Sequence, residues 1–148
     1  MKLFKVTDNQ EIQHYIGLLY AELFDEQAIP SQETFDHLFL QLNDPKNSHH
    51  VYCLKENNDT LAFFTLGESF SVFAHGNYGI INELWVNKHF RSKGIGQKVI
   101  EEIRKIGKEK GWQRIDVSAP SDEKWNRSFD FYQQNGFAFT GRKLKILL

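Results

Sequence analysis

The sequence has only one cysteine, Cys53, which lies inside an apolar run. A disulfide needs two cysteines, so no disulfide framework is expected, and this composition fits a reducing, cytosolic compartment. Neither sign of charge is in excess, because 18 lysines and arginines face 19 aspartates and glutamates. The net charge of −1 gives no electrostatic reason to expect binding to nucleic acid or to an anionic membrane.

Long apolar runs and metal-ligand patterns are also missing. No segment reaches the length of a membrane span, and the first residues contain no apolar stretch of signal-peptide length. The six histidines include no His-x-x-x-His pair and no neighbouring cysteine, so we expect no metal site. The chain is instead rich in core-forming residues: 41% are hydrophobic and 13 of the 148 are phenylalanine, enough for one domain spanning 1–148.

Hydrophobic periodicity and turn residues predict the element order β-α-α-β-β-β-α-β-α-β. The predicted strands are residues 3–6, 50–55, 61–66, 80–86 and 114–119, with one or two more between Phe137 and Leu148. The predicted helices are residues 11–24, 94–110 and 125–134, together with one that starts after Ser31 and ends near residues 43–45. Helices interspersed with hairpins indicate the α/β class, with a mixed, mostly antiparallel sheet of about six to seven strands and about four flanking helices.

Residues 83–96 narrow the function most, because a predicted strand leads through a basic turn into a helix that opens with Gly94 and Gly96. A helix N-terminus presents unpaired N–H groups, and residues without a Cβ let an anion approach them closely. Arg91 and Lys93 add positive charge, so this turn is a candidate phosphate site. The same two glycines would also suit a tight turn that binds nothing.

Two other glycine-rich phosphate loops are excluded by their spacing. A dinucleotide-binding fingerprint needs a third glycine at the position of Val99. A P-loop needs Gly-Lys-Ser/Thr, which residues 96–99 (Gly-Gln-Lys-Val) do not supply.

Residues 91–96 (Arg-Ser-Lys-Gly-Ile-Gly) resemble the Arg/Gln-x-x-Gly-x-Gly/Ala pyrophosphate loop of the GNAT superfamily, the acetyl-CoA-dependent N-acetyltransferases. The order of strand, loop and helix is similar to that of the family. Further along, residues 131–137 (Phe-Tyr-Gln-Gln-Asn-Gly-Phe) resemble the family's second signature, a helix that ends in Phe-Tyr-x-x-x-Gly-Phe. The resemblance covers residues 78–140, and the first 77 residues agree only in element order.

The resemblance implies a sheet that is splayed between strands 4 and 5, with the thioester of acetyl-CoA in the gap. It implies that the main chain of residues 91–97 binds the pyrophosphate and that the main chain of residues 84–86 binds the pantetheine arm. The N–H near Leu84 would polarise the thioester carbonyl. Tyr132 matches the tyrosine that protonates the departing thiolate. The implied cofactor-binding residues are Leu84, Trp85, Val86, Arg91, Ser92, Lys93, Gly94, Ile95, Gly96 and Gln97.

Three positions keep alternative interpretations. Glu83 is a candidate general base for the acceptor amine, or else a cross-strand or solvent-facing charge. Trp125 occupies a position where the family often has asparagine, so its ring either stacks in the site or packs in the core, and the resemblance assigns no role to Asn126. Residues 70–75 either line the acceptor pocket or form a strand and its turn, with a possible bulge at Gly67.

The expected function is transfer of an acetyl group from acetyl-CoA to a primary amine by direct attack in a ternary complex, without a metal. The alternatives are a non-catalytic acyl-CoA sensor and an acetyltransferase for protein N-termini or lysines. The sequence does not identify the acceptor. Residues 143–148 (Lys-Leu-Lys-Ile-Leu-Leu) have the pattern of a strand that would pair across a homodimer.

Overall fold

The computed structural model describes residues 1–120 and 122–148. In this part of the chain, the strands are β1 (Lys2–Val6), β2 (His50–Glu56), β3 (Asp59–Ser71), β4 (Gly76–Val86) and β5 (Ile115–Val117). The helices are α1 (Asn9–Leu23), α2 (Gln32–Leu42), α3 (Ile95–Lys110) and α4 (Asn126–Gln134). The strands form one sheet in chain order, antiparallel from β1 to β4 and parallel between β4 and β5. The predicted α/β class, mixed sheet and four helices are confirmed.

Local sequence sets where the helices begin and end. The Asp8 carboxylate accepts the N–H of Glu11 at 2.8 Å and starts α1, and the Ser31 hydroxyl accepts the N–H of Thr34 at 3.3 Å and starts α2. Gly111 ends α3 in the left-handed conformation, with φ of 74°. These are the capping residue types that the sequence offers, which explains why the predicted helix ends lie close to the observed ones.

The central strands form two hairpins, and the second is longer than the sequence predicted. The first turn has positive φ values at residues 57–58, as expected for its asparagines. β3 then runs unbroken through Gly67, so the predicted bulge there is wrong. The register shift lies between Thr65 and Leu66, because the partner strand carries an extra residue, Asn82, at that level.

The sheet separates two apolar clusters, because successive side chains of a strand point to opposite faces. The cluster on the α3 side includes Phe64, Ile81, Val99, Ile100 and Ile103. The cluster on the α1 and α2 side includes Tyr15, Leu19, Phe35, Phe39 and Phe63. The adjacent residues Phe63 and Phe64 are both fully buried, one in each cluster.

The prediction of six to seven strands is wrong for the described residues, in which the sheet has five. The missing strands were expected between Phe137 and Leu148, where no strand forms and where Leu144 and Ile146 are 90% and 84% exposed. Alternating side chains give a segment strand propensity, but a strand forms only when a neighbouring edge supplies its hydrogen bonds. Within residues 1–120 and 122–148, no helix combines the length and apolarity that crossing a membrane requires.

Candidate active site

The site lies where β4 and β5 separate. β5 pairs with β4 only from Gly79 to Ile81, whereas β4 continues to Val86. Past Ile81, the side of β4 that faced β5 therefore has no strand beside it in the described structure. A groove of about 1120 Å³ occupies this position, between the end of α1, the turn before α3, and α4.

The main chain of β4 turns specific groups toward this groove. The N–H of Glu83 bonds to the Thr65 side chain and the N–H of Asn87 bonds to the Leu61 carbonyl, so both point toward β3. Since the direction alternates along a strand, the main-chain groups of Leu84 and Val86 point the other way, into the groove. The main chain of the intervening residue, Trp85, points back to β3.

The turn before α3 adds further donors. The first helical bond of α3 runs from the N–H of Lys98 to the carbonyl of Gly94 at 3.0 Å. The N–H groups of Ile95, Gly96 and Gln97 therefore have no backbone partner in the described residues, as is normal for a first helical turn. Their aligned dipoles and the start of the helix favour an anion here.

The two glycines of this turn are required for different reasons. Gly94 has φ of 77°, a left-handed conformation that costs other residues energy, and a Cβ there would meet nothing within 4 Å. A Cβ on Gly96 would lie 2.9 Å from the Phe131 ring of α4. Gly94 therefore permits the turn itself, and Gly96 permits α4 to pack against the start of α3.

Arg91 is held between the strand and helix α1. Its Nε donates to the Val86 carbonyl at 2.9 Å, and its terminal nitrogen contacts both carboxylate oxygens of Glu22 at 2.5 and 2.7 Å. Glu22 also accepts the indole N–H of Trp85 at 3.0 Å. The positive charge predicted for Arg91 is thus present but already paired with a carboxylate in this structure.

The two residues that follow Arg91, Ser92 and Lys93, are placed differently. Ser92 accepts a hydrogen bond from Arg127 of α4 at 2.7 Å. The ammonium of Lys93 lies 5.5 Å from the centre of the Phe90 ring, and Lys93 does not line the groove. The electropositive side of the groove therefore involves α4 as well as the turn.

Tyr132 lines the same groove from α4. Its ring packs against those of Phe131 and Phe137, with centroids 5.3 and 5.6 Å away. This burial raises the pKa of the phenol to about 12, so the hydroxyl stays protonated at neutral pH. A protonated phenol is chemically suited to give a proton to a thiolate.

Glu83 also lines the groove, and its side chain is fixed by a neighbour on β3. The buried Thr65 hydroxyl donates to a Glu83 carboxylate oxygen and accepts from the Glu83 main-chain N–H. This reciprocal pair holds the carboxylate beside Leu84. Glu83 therefore both pairs with a residue on the neighbouring strand and lies at the groove.

Trp125 and residues 70–75 differ in whether they line the groove. Trp125 is half-buried at the start of α4 and lines the groove, with the Lys124 ammonium 5.6 Å from its ring centre. Residues 70–75 form the end of β3 and the turn into β4, and none of them lines the groove. The described residues contain no group of three or more histidine, cysteine or acidic side chains able to hold a metal ion.

The model of the Acetyltransferase (GNAT) family matches this chain over residues 17–137, a range that includes every residue lining the groove. The chain belongs to the GNAT acetyltransferase family. It is therefore an acyltransferase, as the resemblance implied. No curated protein sequence matches the chain significantly.

Solved structures show the same fold at low sequence identity. The GNAT chain is similar to an aminoglycoside acetyltransferase from an uncultured soil metagenomic sample in complex with sisomicin, with a TM-score of 0.77 and 21% identity over 99% of this chain and 94% of the other. It is similar to a ribosomal-protein-alanine N-acetyltransferase from Brucella melitensis biovar Abortus 2308, with a TM-score of 0.73 and 16% identity over the full length of both. A protein from Bacillus halodurans C-125 described as a transcriptional regulator has a TM-score of 0.76 and 18% identity over 99% of both chains.

Sequence reasoning missed three residues that contact the predicted site residues of this GNAT chain: Glu22, Thr65 and Arg127. Only Arg127 left a signal, since it lies four residues before Phe131 and so on the same face of a predicted helix. The contacts of Glu22 with Arg91 and of Thr65 with Glu83 join residues 69 and 18 positions apart. No local pattern records such pairs.

Proposed function

We propose that this enzyme transfers an acetyl group from acetyl-CoA to a primary amine in the reducing cytoplasm, a setting that suits its free, buried Cys53. One observation carries the proposal: the unpaired N–H groups at the start of α3, the groove-facing main chain of β4 and Tyr132 meet in one groove. Acetyl-CoA supplies an anionic pyrophosphate, an amide-bearing arm and a thioester. The groove offers groups complementary to the first two.

The described residues suggest a role for each part of the groove. The N–H groups of residues 95–97 bind the pyrophosphate, and the main chain of Leu84 and Val86 binds the amide-bearing arm. The Leu84 N–H polarises the thioester carbonyl. Glu83, fixed beside it by Thr65, accepts the proton of the amine directly or through water.

Tyr132 completes this assignment as the group that protonates the leaving sulfur. Burial keeps the phenol protonated at neutral pH, so a proton is available to the thiolate as it departs. The proposed transfer is direct, from thioester to amine in a ternary complex. The one cysteine, Cys53, is 1% exposed and does not line the groove, so it offers no covalent route.

An acetyl-transfer screen tests this function. Purified protein is mixed with acetyl-CoA and a panel of polyamines, amino acids, aminoglycosides and a lysine peptide, and thiol release is followed together with the mass of the product. We expect amine-dependent release that the Tyr132→Phe variant loses. Tight acetyl-CoA binding without release for any amine would favour the acyl-CoA sensor, and release with the peptide alone would favour a protein acetyltransferase.

We also propose that the enzyme forms a homodimer in which residues 143–148 of one copy pair with β5 of the other. β5 is the outermost strand, and its outer edge has no strand partner in the described residues. Lysine and an apolar residue alternate over residues 143–146, and two leucines follow. The exposed fractions of Leu144, Ile146 and Leu148 are 90%, 84% and 117%. When two copies meet, the backbone groups at the open edge of β5 can form hydrogen bonds with residues 143–148 of the other copy.

Size-exclusion chromatography with light scattering tests the dimer. The wild type should elute with the mass of two chains, and a Leu144→Ser, Ile146→Ser double variant should elute as a monomer with an unchanged circular dichroism spectrum. A wild type that is monomeric at micromolar concentration, or a variant that is still dimeric, would refute this mode of association.

A further inference from the structure

The cations that line the groove differ in whether a carboxylate neutralises them. Arg91 is paired with Glu22 through two contacts. Arg127 instead donates to an uncharged hydroxyl, that of Ser92, at 2.7 Å. In the part of the chain that the structure describes, Arg127 makes no ion pair with a carboxylate, although Asp130 lies three residues further along the same helix.

The position of Arg127 in its helix makes this unpaired charge unfavourable. Arg127 is the second residue of α4, where the unpaired N–H groups already carry a partial positive charge. The first turn of α4 contains no acidic residue to offset it. Lys124 lies just before this turn and lines the same groove, with its ammonium 5.6 Å from the centre of the Trp125 ring. This corner of the groove thus holds two cations, and in the described residues neither forms an ion pair with Asp130, the acidic residue of α4 that also lines the groove.

The corner is also tied to the pyrophosphate-binding turn. Arg127 donates to the Ser92 hydroxyl, two residues before Gly94, so its guanidinium lies beside the turn. The donors of residues 95–97 suffice for one phosphate-bearing group of the cofactor. A second phosphate next to it would meet Arg127 and Lys124.

Coenzyme A carries such a second phosphate, on the 3′ hydroxyl of its ribose. We propose that Arg127, assisted by Lys124, binds this 3′-phosphate and so makes the enzyme select coenzyme A over its dephospho form. This inference rests on the proposed function, since it assigns a further part of the same cofactor. An arginine fits the role because its planar guanidinium can give two parallel hydrogen bonds to a phosphate.

Calorimetry with two ligands tests the assignment. Acetyl-CoA and acetyl-dephospho-CoA are each titrated into the wild type, Arg127→Ala, Arg127→Lys and the control Arg142→Ala, whose arginine lies in the exposed tail away from the groove. The wild type should bind acetyl-CoA about tenfold more tightly than the dephospho ligand, the usual effect of one charge-assisted hydrogen-bonding group. Arg127→Ala should lose this preference by weakening only acetyl-CoA.

The variants Arg127→Lys and Arg142→Ala serve as controls for charge and for position. Arg127→Lys should keep part of the preference, because it keeps the charge and loses the bidentate geometry, and Arg142→Ala should match the wild type. Arg127→Gln replaces Arg127→Ala if the latter melts at a lower temperature than the wild type.

Two results would overturn the assignment. One is a wild type that binds both ligands equally, and the other is an Arg127→Ala variant that still prefers acetyl-CoA as strongly as the wild type. Failure of the wild type to bind either ligand is a distinct outcome, because it would refute the proposed function itself and this inference with it.

Discussion

The substitution Gly96→Ala probes the contact between the start of α3 and α4. A Cβ at position 96 would lie 2.9 Å from two atoms of the Phe131 ring, whereas ordinary contacts of a Cβ begin at 3.4 Å. The ring must therefore retreat by at least the difference, 0.5 Å. Phe131 is adjacent to Tyr132, so the retreat displaces the proposed proton donor as well.

The expected magnitudes follow from this retreat. Forcing an extra methyl into a packed contact costs about 1–3 kcal/mol. Replacing glycine by alanine in a helix returns up to about 1 kcal/mol. We expect a net loss of about 1 kcal/mol in the free energy of unfolding, which lowers Tm by about 2–4 °C in a chain of this size. The displaced helix and the methyl at the phosphate-binding surface should weaken acetyl-CoA binding about tenfold.

Thermal melts and calorimetry measure both effects, with Gly17→Ala as the matched control. Gly17 lies within α1 and a Cβ there meets nothing within 4 Å, so its substitution should raise Tm and leave acetyl-CoA affinity unchanged. Adding Phe131→Leu to Gly96→Ala removes the clashing ring atoms and should recover part of the lost affinity. A Gly96→Ala variant with wild-type Tm and affinity would refute the packing argument.

Four further predictions concern the groove. Tyr132→Phe should lower kcat about 100-fold without changing acetyl-CoA affinity, and unchanged turnover when chemistry limits the rate would remove the proton-donor role. Burial raises the pKa of Tyr132 from 10.0 to about 12, so the folded state favours the neutral phenol. Urea melts should therefore show that the free energy of unfolding of the wild type falls as the pH rises from about 10 through about 12. The Tyr132→Phe variant should show a smaller fall. Thr65→Val should lower kcat as Glu83→Gln does. Because the Thr65 hydroxyl acts through the Glu83 carboxylate, the double variant should have a kcat no lower than that of Glu83→Gln alone. Additive losses of kcat would contradict this coupling. Glu22→Gln should tighten acetyl-CoA binding about twofold to fivefold, because it frees Arg91 from its partly exposed ion pair. The control Glu26→Gln, outside the groove, should not change the affinity. Equal affinities in the two variants would show that the Arg91–Glu22 pair does not compete with the cofactor.

The sequence by itself determined the features that depend on near neighbours in the chain. Asp8 and Ser31 cap helices because a side-chain oxygen reaches an N–H three residues ahead, and Gly111 ends α3 because it tolerates positive φ. The turn of residues 91–97 and the signature of residues 131–137 are likewise contiguous. These local patterns sufficed for the α/β class, for four helices and for the family.

Only the tertiary structure decided what depends on contacts across the chain. The alternation of residues 143–148 did not produce a strand, because strand formation requires a partner edge that no local pattern supplies. The reason for Gly96 is the ring of Phe131, and the charge of Arg91 is paired with Glu22, 69 residues earlier. Packing and ion pairing act through space, so they fix which of the predicted site residues face the groove and which charges remain there to bind a ligand.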